Sequence, residues 1–162
     1  AHDINDNGNI VGSSQINGDS AWHVFLYNGI TMHDLGTLGG TDAWAYAINN
    51  SGQIVGYSKI LGDSENHAFL YDNNQMLDLN DLLPTGSGWE LKNASDINNS
   101  GQIVGNGIIA GEYHAFLMTP YSCSEHPAMD FNLDCKVDIA DFAEFASQWM
   151  TCNRVPESTC WE

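Results

Sequence analysis

Short apolar bursts alternate with clusters of Asn, Asp, Gly and Ser along this chain, and the bursts recur. Residues 1–12 read AHDINDNGNIVG, residues 45–56 read AYAINNSGQIVG and residues 94–105 read ASDINNSGQIVG, so copies start 44 and then 49 residues apart. A second block follows each copy: His23 to Tyr27 (HVFLY), His67 to Tyr71 (HAFLY) and His114 to Met118 (HAFLM). A third block, Met32-His33-Asp34-Leu35-Gly36 and then Met76-Leu77-Asp78-Leu79-Asn80, follows the first two copies only. The third copy runs out at Met118-Thr119-Pro120.

Each block predicts strands. The I-N-x-x-G-x-I-V-G block places a turn signal (Asn5 to Gly8, Asn49 to Gly52, Asn98 to Gly101) between β-branched residues, which is a hairpin signature. In the second block Phe25 and Tyr27 point to one face and Val24 and Leu26 to the other. A strand apolar on both faces must be covered on both. A stack of small sheets achieves this, each repeat burying its neighbour. With the Met-x-Asp-Leu strand, each unit has four strands in roughly 45 residues, the size of one β-propeller blade. The predicted fold is therefore mainly β, with three blade-like repeats over residues 1–120. Three blades are too few to close a propeller. The missing fourth strand of copy three leaves a sheet edge open, and an open edge pairs with other chains; the chain either lost upstream blades or completes its sheets by self-association.

The motif A-x-x-I-N-x-x-G-x-I-V-G, then H-A-F-L-Y, then M-x-D-L-G-T-L-G-G resembles the HAF repeat of secreted bacterial proteins. The resemblance covers residues 1–120, with Val24 in place of Ala in copy one and Met118 in place of Tyr in copy three. It implies an extracellular, propeller-like architecture and no catalytic residues.

The composition changes near Pro120–Ser122. All four cysteines (Cys123, Cys135, Cys152, Cys160) follow that point. An even number of cysteines in a small segment reads as two disulfides and an oxidising compartment. Their spacing contains no C-x-x-C zinc knuckle. Residues 130–141 read DFNLDCKVDIAD. Asp130, Asn132, Asp134, the backbone carbonyl of Lys136, Asp138 and Asp141 fall at loop positions 1, 3, 5, 7, 9 and 12, the alternation of oxygen ligands that Ca²⁺ takes. Cys135 replaces the usual Gly at position 6. The pattern resembles a dockerin calcium loop, which uses Asp at position 12; only one such loop is present, so the tail reads as a dockerin-like structural module. A helix is predicted from about Asp138 to Met150, with Asp138 as N-cap and Ile139, Phe142, Phe145, Ala146, Trp149 and Met150 as its apolar stripe. Its length, roughly 16 Å over eleven residues, separates Cys135 from Cys152 beyond disulfide reach. The favoured pairing is Cys123–Cys135 with Cys152–Cys160; Cys123–Cys152 with Cys135–Cys160 is the alternative. Metal and disulfides together suit a segment too small to be stable on its core alone.

Charge narrows the partners. Against 21 Asp and Glu the chain has 4 Lys and Arg, a formal charge of −17. No basic footprint for nucleic acid exists. No apolar run is long enough to span a bilayer. The chain begins at Ala1 without an initiating Met and reads as a processed or trimmed product.

The remaining candidates have structural uses. His23, His67 and His114 recur once per unit on a strand, which suits hydrogen bonding between strands. The segment Asp3 to Gly8 mimics the start of a calcium loop, but its later positions are Val11 and Ser14, so a hairpin turn is expected. Asn49, Asn93 and Asn98 head N-x-[ST] sequons. Trp22, Trp44, Trp89 and Tyr46 either pack between repeats or offer a sugar platform. No G-x-S-x-G, H-E-x-x-H or phosphate loop is present. The sequence thus predicts a non-enzymatic, secreted structural or adhesive protein that self-associates as a ring or fibre, stabilised by calcium and disulfides. A lectin-like surface module holding a glycan or a cell-surface protein is the alternative, and a secreted hydrolase is the third reading.

Overall fold

A computed structural model describes residues 1–16 and 21–120 of the chain. Residues 1–120 form one compact unit, and the described part is mainly strand. Copy one supplies β1 (Asp3–Ile4), β2 (Ile10–Gln15), β3 (Trp22–Tyr27) and β4 (Met32–Gly36). Copy two supplies β5 (Gly39–Ile48), β6 (Ile54–Ile60), β7 (Asn66–Asp72) and β8 (Gln75–Asp78). Copy three supplies β9 (Trp89–Ile97), β10 (Ile103–Ile109) and β11 (Glu112–Met118).

Within each copy, neighbours in sequence pair antiparallel, so each is a meander. The register is the same in all three: Gly12 faces Phe25, Gly56 faces Phe69 and Gly105 faces Phe116. The reason is steric. A Cβ on Gly56 would lie 1.8 Å from the Trp44 carbonyl oxygen and 2.9 Å from the Phe69 ring. On Gly105 it would meet the Asn93 carbonyl at 2.0 Å and the Phe116 ring at 2.8 Å. The first strand of copies two and three bulges at this point, pushing its carbonyl toward the glycine, while the aromatic ring fills the space that the missing side chain leaves.

One parallel pair, Trp22 with Asp42, joins the sheets of copies one and two, whereas copy three is a separate three-stranded sheet in the order β11-β10-β9. The expected fourth strand is therefore present in copies one and two. Among the described residues copy three ends with β11 at its edge. The longer second spacing holds a 3-10 turn, Leu79–Leu82, capped by the Asp78 carboxylate on Asn80 N–H. Asn80 then clamps copy three: its Oδ1 accepts from Leu91 N (2.7 Å) and its Nδ2 donates to Leu91 O (3.0 Å).

The cores lie between copies rather than inside them. Val11 and Val24 of copy one, with Leu26, cluster with Ile48, Ile54, Phe69 and Tyr71 of copy two. Val55, Ala68 and Leu70 of copy two cluster with Ile97, Ile103, Phe116 and Met118 of copy three. No single antiparallel sheet of three or four strands can bury both of its faces, so each apolar face is covered by the next unit.

Candidate interaction surface

The I-N-x-x-G turn does two jobs. Inside each copy, Asn5 Oδ1 accepts from Asn7 N (3.1 Å) and Asn9 N (3.0 Å), and Gly8 N donates to Asn5 O (2.9 Å). Asn49 and Asn98 repeat this pattern. Gly8, Gly52 and Gly101 close the turns at φ of 77°, 85° and 75°, where side chains other than Gly are strained. The amide nitrogens that remain then reach across copies. Asn5 Nδ2 donates to Asn49 O (3.0 Å), and Asn49 Nδ2 donates to Asn98 O (3.1 Å). Asp6 N donates to Asn50 Oδ1 (3.0 Å), and Asn50 N donates to Asn99 Oδ1 (2.8 Å). The three turns thus stack as one asparagine ladder, in which the Asn5 and Asn49 amides and the N–H groups after them donate to the next copy, while Asn50 Nδ2 donates back to Asp6 Oδ2 (2.7 Å).

A third cross-copy bond is partial. Asp3 takes Ile4 N on Oδ1 (2.8 Å) and Ile48 N on Oδ2 (2.8 Å). Copy two has Ala47 at the Asp3 position and makes no such bond to copy three. Copy three has Asp96 there, and its Oδ1 takes Ile97 N (2.8 Å) as Asp3 Oδ1 takes Ile4 N.

The ends of the stack differ from its middle. Val11 and Val55 are 0% exposed, whereas Val104 is 43% exposed. Val24 and Ala68 are buried and Ala115 is exposed. Leu26 and Leu70 are half-buried, but Leu117 is 63% exposed. Asn5 and Asn49 are buried and Asn98 is exposed. At the opposite end, Ile4 is 60% exposed while its counterparts Ile48 and Ile97 are 5% and 6% exposed. Phe25 on that end stays buried because Gly12 and Ala1 of its own copy lie against it. Copy three therefore shows the face that copies one and two bury, and copy one shows its complement.

The recurring histidines bridge the outer strands. His23 Nδ1 lies 2.9 Å from Asp34, between β3 and β4, and His67 Nδ1 lies 2.5 Å from Asp78, between β7 and β8. His114 has no Met-x-Asp-Leu strand beside it among the described residues; its nearest carboxylate is Glu112 at 3.9 Å, and it sits edge-on to Trp89. Structural bridging is therefore seen at two of the three positions.

Between copies two and three, Glu65, His67 and Glu90 bring ligand-type atoms within 4.8 Å of one another. Lys92 pairs with both Glu65 and Glu90 there, so its ammonium is the cation of this cluster. Burial alone would lower the Lys92 pKa, but its hydrogen bonds to Glu65 and Glu90 and their charges outweigh burial and raise it above 10.5. The same Lys92 hydrogen bond, with the charge of the ammonium, holds Glu65 below 4.5. Burial opposes ionisation of Asp42, yet Lys59, the Trp22 N–H and Thr41 prevail and hold it below 3.8. These are border contacts, since Asp42 and Trp22 belong to different copies.

The aromatic candidates form a column across copies one and two. Trp22 stacks on Trp44 (6.1 Å, 20°), Trp44 on Tyr57 (5.3 Å, 15°), and Tyr57 leans on Tyr46 at 5.8 Å. Burial, with Tyr46 beside it, pushes the Tyr57 phenol above 10.0. Of the three sequons, Asn49 is 3% exposed and its amide nitrogen, the atom a glycan would occupy, already donates to Gln53 Oε1 (2.7 Å) and Asn98 O. Asn93 lies half-buried within β9, and its Oδ1 is buried without a partner. Asn98 is exposed and donates to Gln102 Oε1 (2.7 Å). The calcium loop 130–141, the following helix and all four cysteines lie outside the described residues. Sequence reasoning found the turn and the histidines. It missed the ladder between turns, although the spacing of 44 and 49 residues that relates the copies also relates Asn5 to Asn49, Asp6 to Asn50, Asn49 to Asn98 and Asn50 to Asn99. Among the described residues no helix is long and apolar enough to cross a membrane.

The profile of one family, described as "Protein of unknown function (DUF3466)", matches residues 1–109. No curated protein and no solved structure matches the chain.

Proposed function

Since the chain belongs to the DUF3466 family, whose description assigns no activity, we propose from the geometry that it is a secreted structural or adhesive repeat protein that associates with itself. The role is non-enzymatic. Its repeats act as propeller-blade-like units of the HAF type, and they build a rigid extracellular body. The C-terminal segment acts as a dockerin-like module held by Ca²⁺ at Asp130, Asn132, Asp134, the Lys136 backbone carbonyl, Asp138 and Asp141 and by the four cysteines. The observation that carries the reading is the contrast in exposure along the stack: Val104 and Leu117 stand open where Val11, Val55, Leu26 and Leu70 are covered. A contiguous apolar face of this kind, rimmed by polar groups, marks an interaction site.

Analytical ultracentrifugation over a wide concentration range tests it, alongside electron microscopy with and without EDTA. Mass should rise with concentration, and assemblies should loosen in EDTA. A sharp monomer at every concentration overturns the reading. The alternative is a glycan-binding module, and the partly exposed Trp22 supports it. However, Trp44 and Tyr46 of the same column are engaged by protein rings. A glycan array with saturable binding lost in Trp22→Ala decides for that alternative.

A further inference from the structure

We propose that the partner is a second copy of this chain, docked head to tail, with the outer face of copy three covering the outer face of copy one. This rests on the self-association reading above and specifies its interface. The open edge of β11 is not the contact; the faces of the repeats are.

The interface is already built twice inside the chain, which is why its partner can be named. In the first joint a Val, a small residue and a Leu (Val11, Val24, Leu26) lie against Ile48, Ile54 and Tyr71. In the second, Val55, Ala68 and Leu70 lie against Ile97, Ile103 and Met118. Copy three presents the same donor set, Val104, Ala115 and Leu117, all exposed. Copy one presents the receiving set, Ile4, Ile10 and Tyr27, with Ile4 the most open.

Two polar contacts recur at both joints. Each earlier joint has the upstream Asn Nδ2 donating to the downstream Asn carbonyl, and the upstream N–H after that Asn donating to the next side chain. Asn98 Nδ2 bonds Gln102 Oε1 as Asn49 Nδ2 bonds Gln53 Oε1; its second N–H and Asn99 N are, among the described residues, the upstream donors left over. The Asn5 carbonyl and the Asp6 carboxylate of a second copy are the downstream acceptors. Asp96 matters most here. The first joint uses Asp3 Oδ2 to take Ile48 N; the second lacks it because of Ala47; copy three restores the carboxylate at the end where no third joint is formed among the described residues. Asp96 Oδ2 would accept from Ile4 N of a second copy as Asp3 Oδ2 accepts from Ile48 N. Because this contact is heterologous, it repeats: each chain still has one free face of each kind, and the product is an open filament or a ring rather than a closed dimer.

Two single variants and their mixture test it. Ile4→Asp spoils the receiving face only, and Leu117→Asp spoils the donor face only. Both positions are exposed, so each variant should keep the circular dichroism and melting curve of the parent. Each alone should associate at least about tenfold more weakly, since docking would bury an unpaired carboxylate. Mixed together, they should form a heterodimer that grows no further, because one intact face of each kind remains. A Val104 photo-crosslinker in mixed isotope-labelled and unlabelled chains should join the two labels at peptides of copy one. Association of the parent that survives both variants, or that is lost in Leu117→Asp but not in Ile4→Asp, overturns the head-to-tail contact and leaves self-association standing. A parent that is monomeric throughout, with Leu117→Asp lowering its melting temperature, overturns both and means that another part of the same chain covers the face.

Discussion

Copies two and three carry nearly the same twelve-residue motif, AYAINNSGQIVG and ASDINNSGQIVG, yet their environments are opposite. Ile54 and Val55 are both 0% exposed in copy two. In copy three Ile103 is buried and Val104 is 43% exposed. One residue of each pair points to each face of the strand. In copy two both faces meet a neighbour, one against copy one and the other against copy three. Copy three meets a neighbour on one face only. Identical sequence thus gives a core residue or a surface residue according to position in the stack, as in other repeat architectures where each unit contacts only its neighbours.

The largest test of this contrast places a charge on the same motif position in each copy. Val55→Asp buries an unpaired carboxylate and should cost at least about 3 kcal/mol. Val104→Asp should change the stability of the monomer by no more than about 0.5 kcal/mol. Urea denaturation of both variants measures the gap, and equal costs would mean that copy three is covered after all.

The ladder offers a smaller contrast. Asn49→Ala removes a buried side chain that both shapes its turn and donates to Asn98 O; it should cost about 1–3 kcal/mol. Asn98→Ala removes the turn bonds but no described cross-copy bond, so its cost should be about 1 kcal/mol less. The same denaturation experiment reads this difference.

Smaller still is the histidine comparison. His67→Ala breaks a half-buried pair with Asp78 across β7 and β8 and should cost about 0.5–1.5 kcal/mol. His114→Ala has only the distant Glu112 to lose and should fall within about 0.5 kcal/mol of the parent. Thermal melting of the two variants side by side measures this.

The smallest effect lies in pH. Asp42, at the border of copies one and two, is held below 3.8, so its contribution is complete above that value and is lost as pH falls through the folded pKa. Lys92, at the border of copies two and three, is held above 10.5, so its contribution is complete below that value and is lost as pH rises through the folded pKa. Asp42→Asn should therefore flatten the acid limb of the stability profile, and Lys92→Met the alkaline limb. Urea midpoints across pH, compared with the parent, check both; a Lys92→Met profile unchanged at alkaline pH would show that the cluster around Glu65 and Glu90 adds nothing.

Much of the fold was legible because local chemistry dictates it. Asn and Gly at fixed positions set each turn, since an Asn side chain can hold its own backbone and Gly can take a positive φ. Alternating Val, Phe, Leu and Tyr set the strands and their two apolar faces. The register of Phe69 on Gly56 follows once the turn is fixed. The bulges in β5 and β9 were not legible, because they answer to the carbonyls of Trp44 and Asn93 crowding those glycines, a contact between strands. Asn49 headed a sequon in sequence; its commitment to Asn98, 49 residues away, needed the stacked turns in view.

The sequence by itself determined the mainly β character, the three copies, their turns and the lack of a Met-x-Asp-Leu block after the last copy. These depend on side-chain preferences within a few residues or on counting motifs. Only the tertiary structure decided that the turns bond into a ladder, that Lys92 neutralises two carboxylates from different copies, and that Ile4 at one end and Leu117 at the other are left uncovered. Such facts depend on which repeat lies beside which. A repeated motif carries the same letters in every copy, so its neighbours, and not its own chemistry, assign its role.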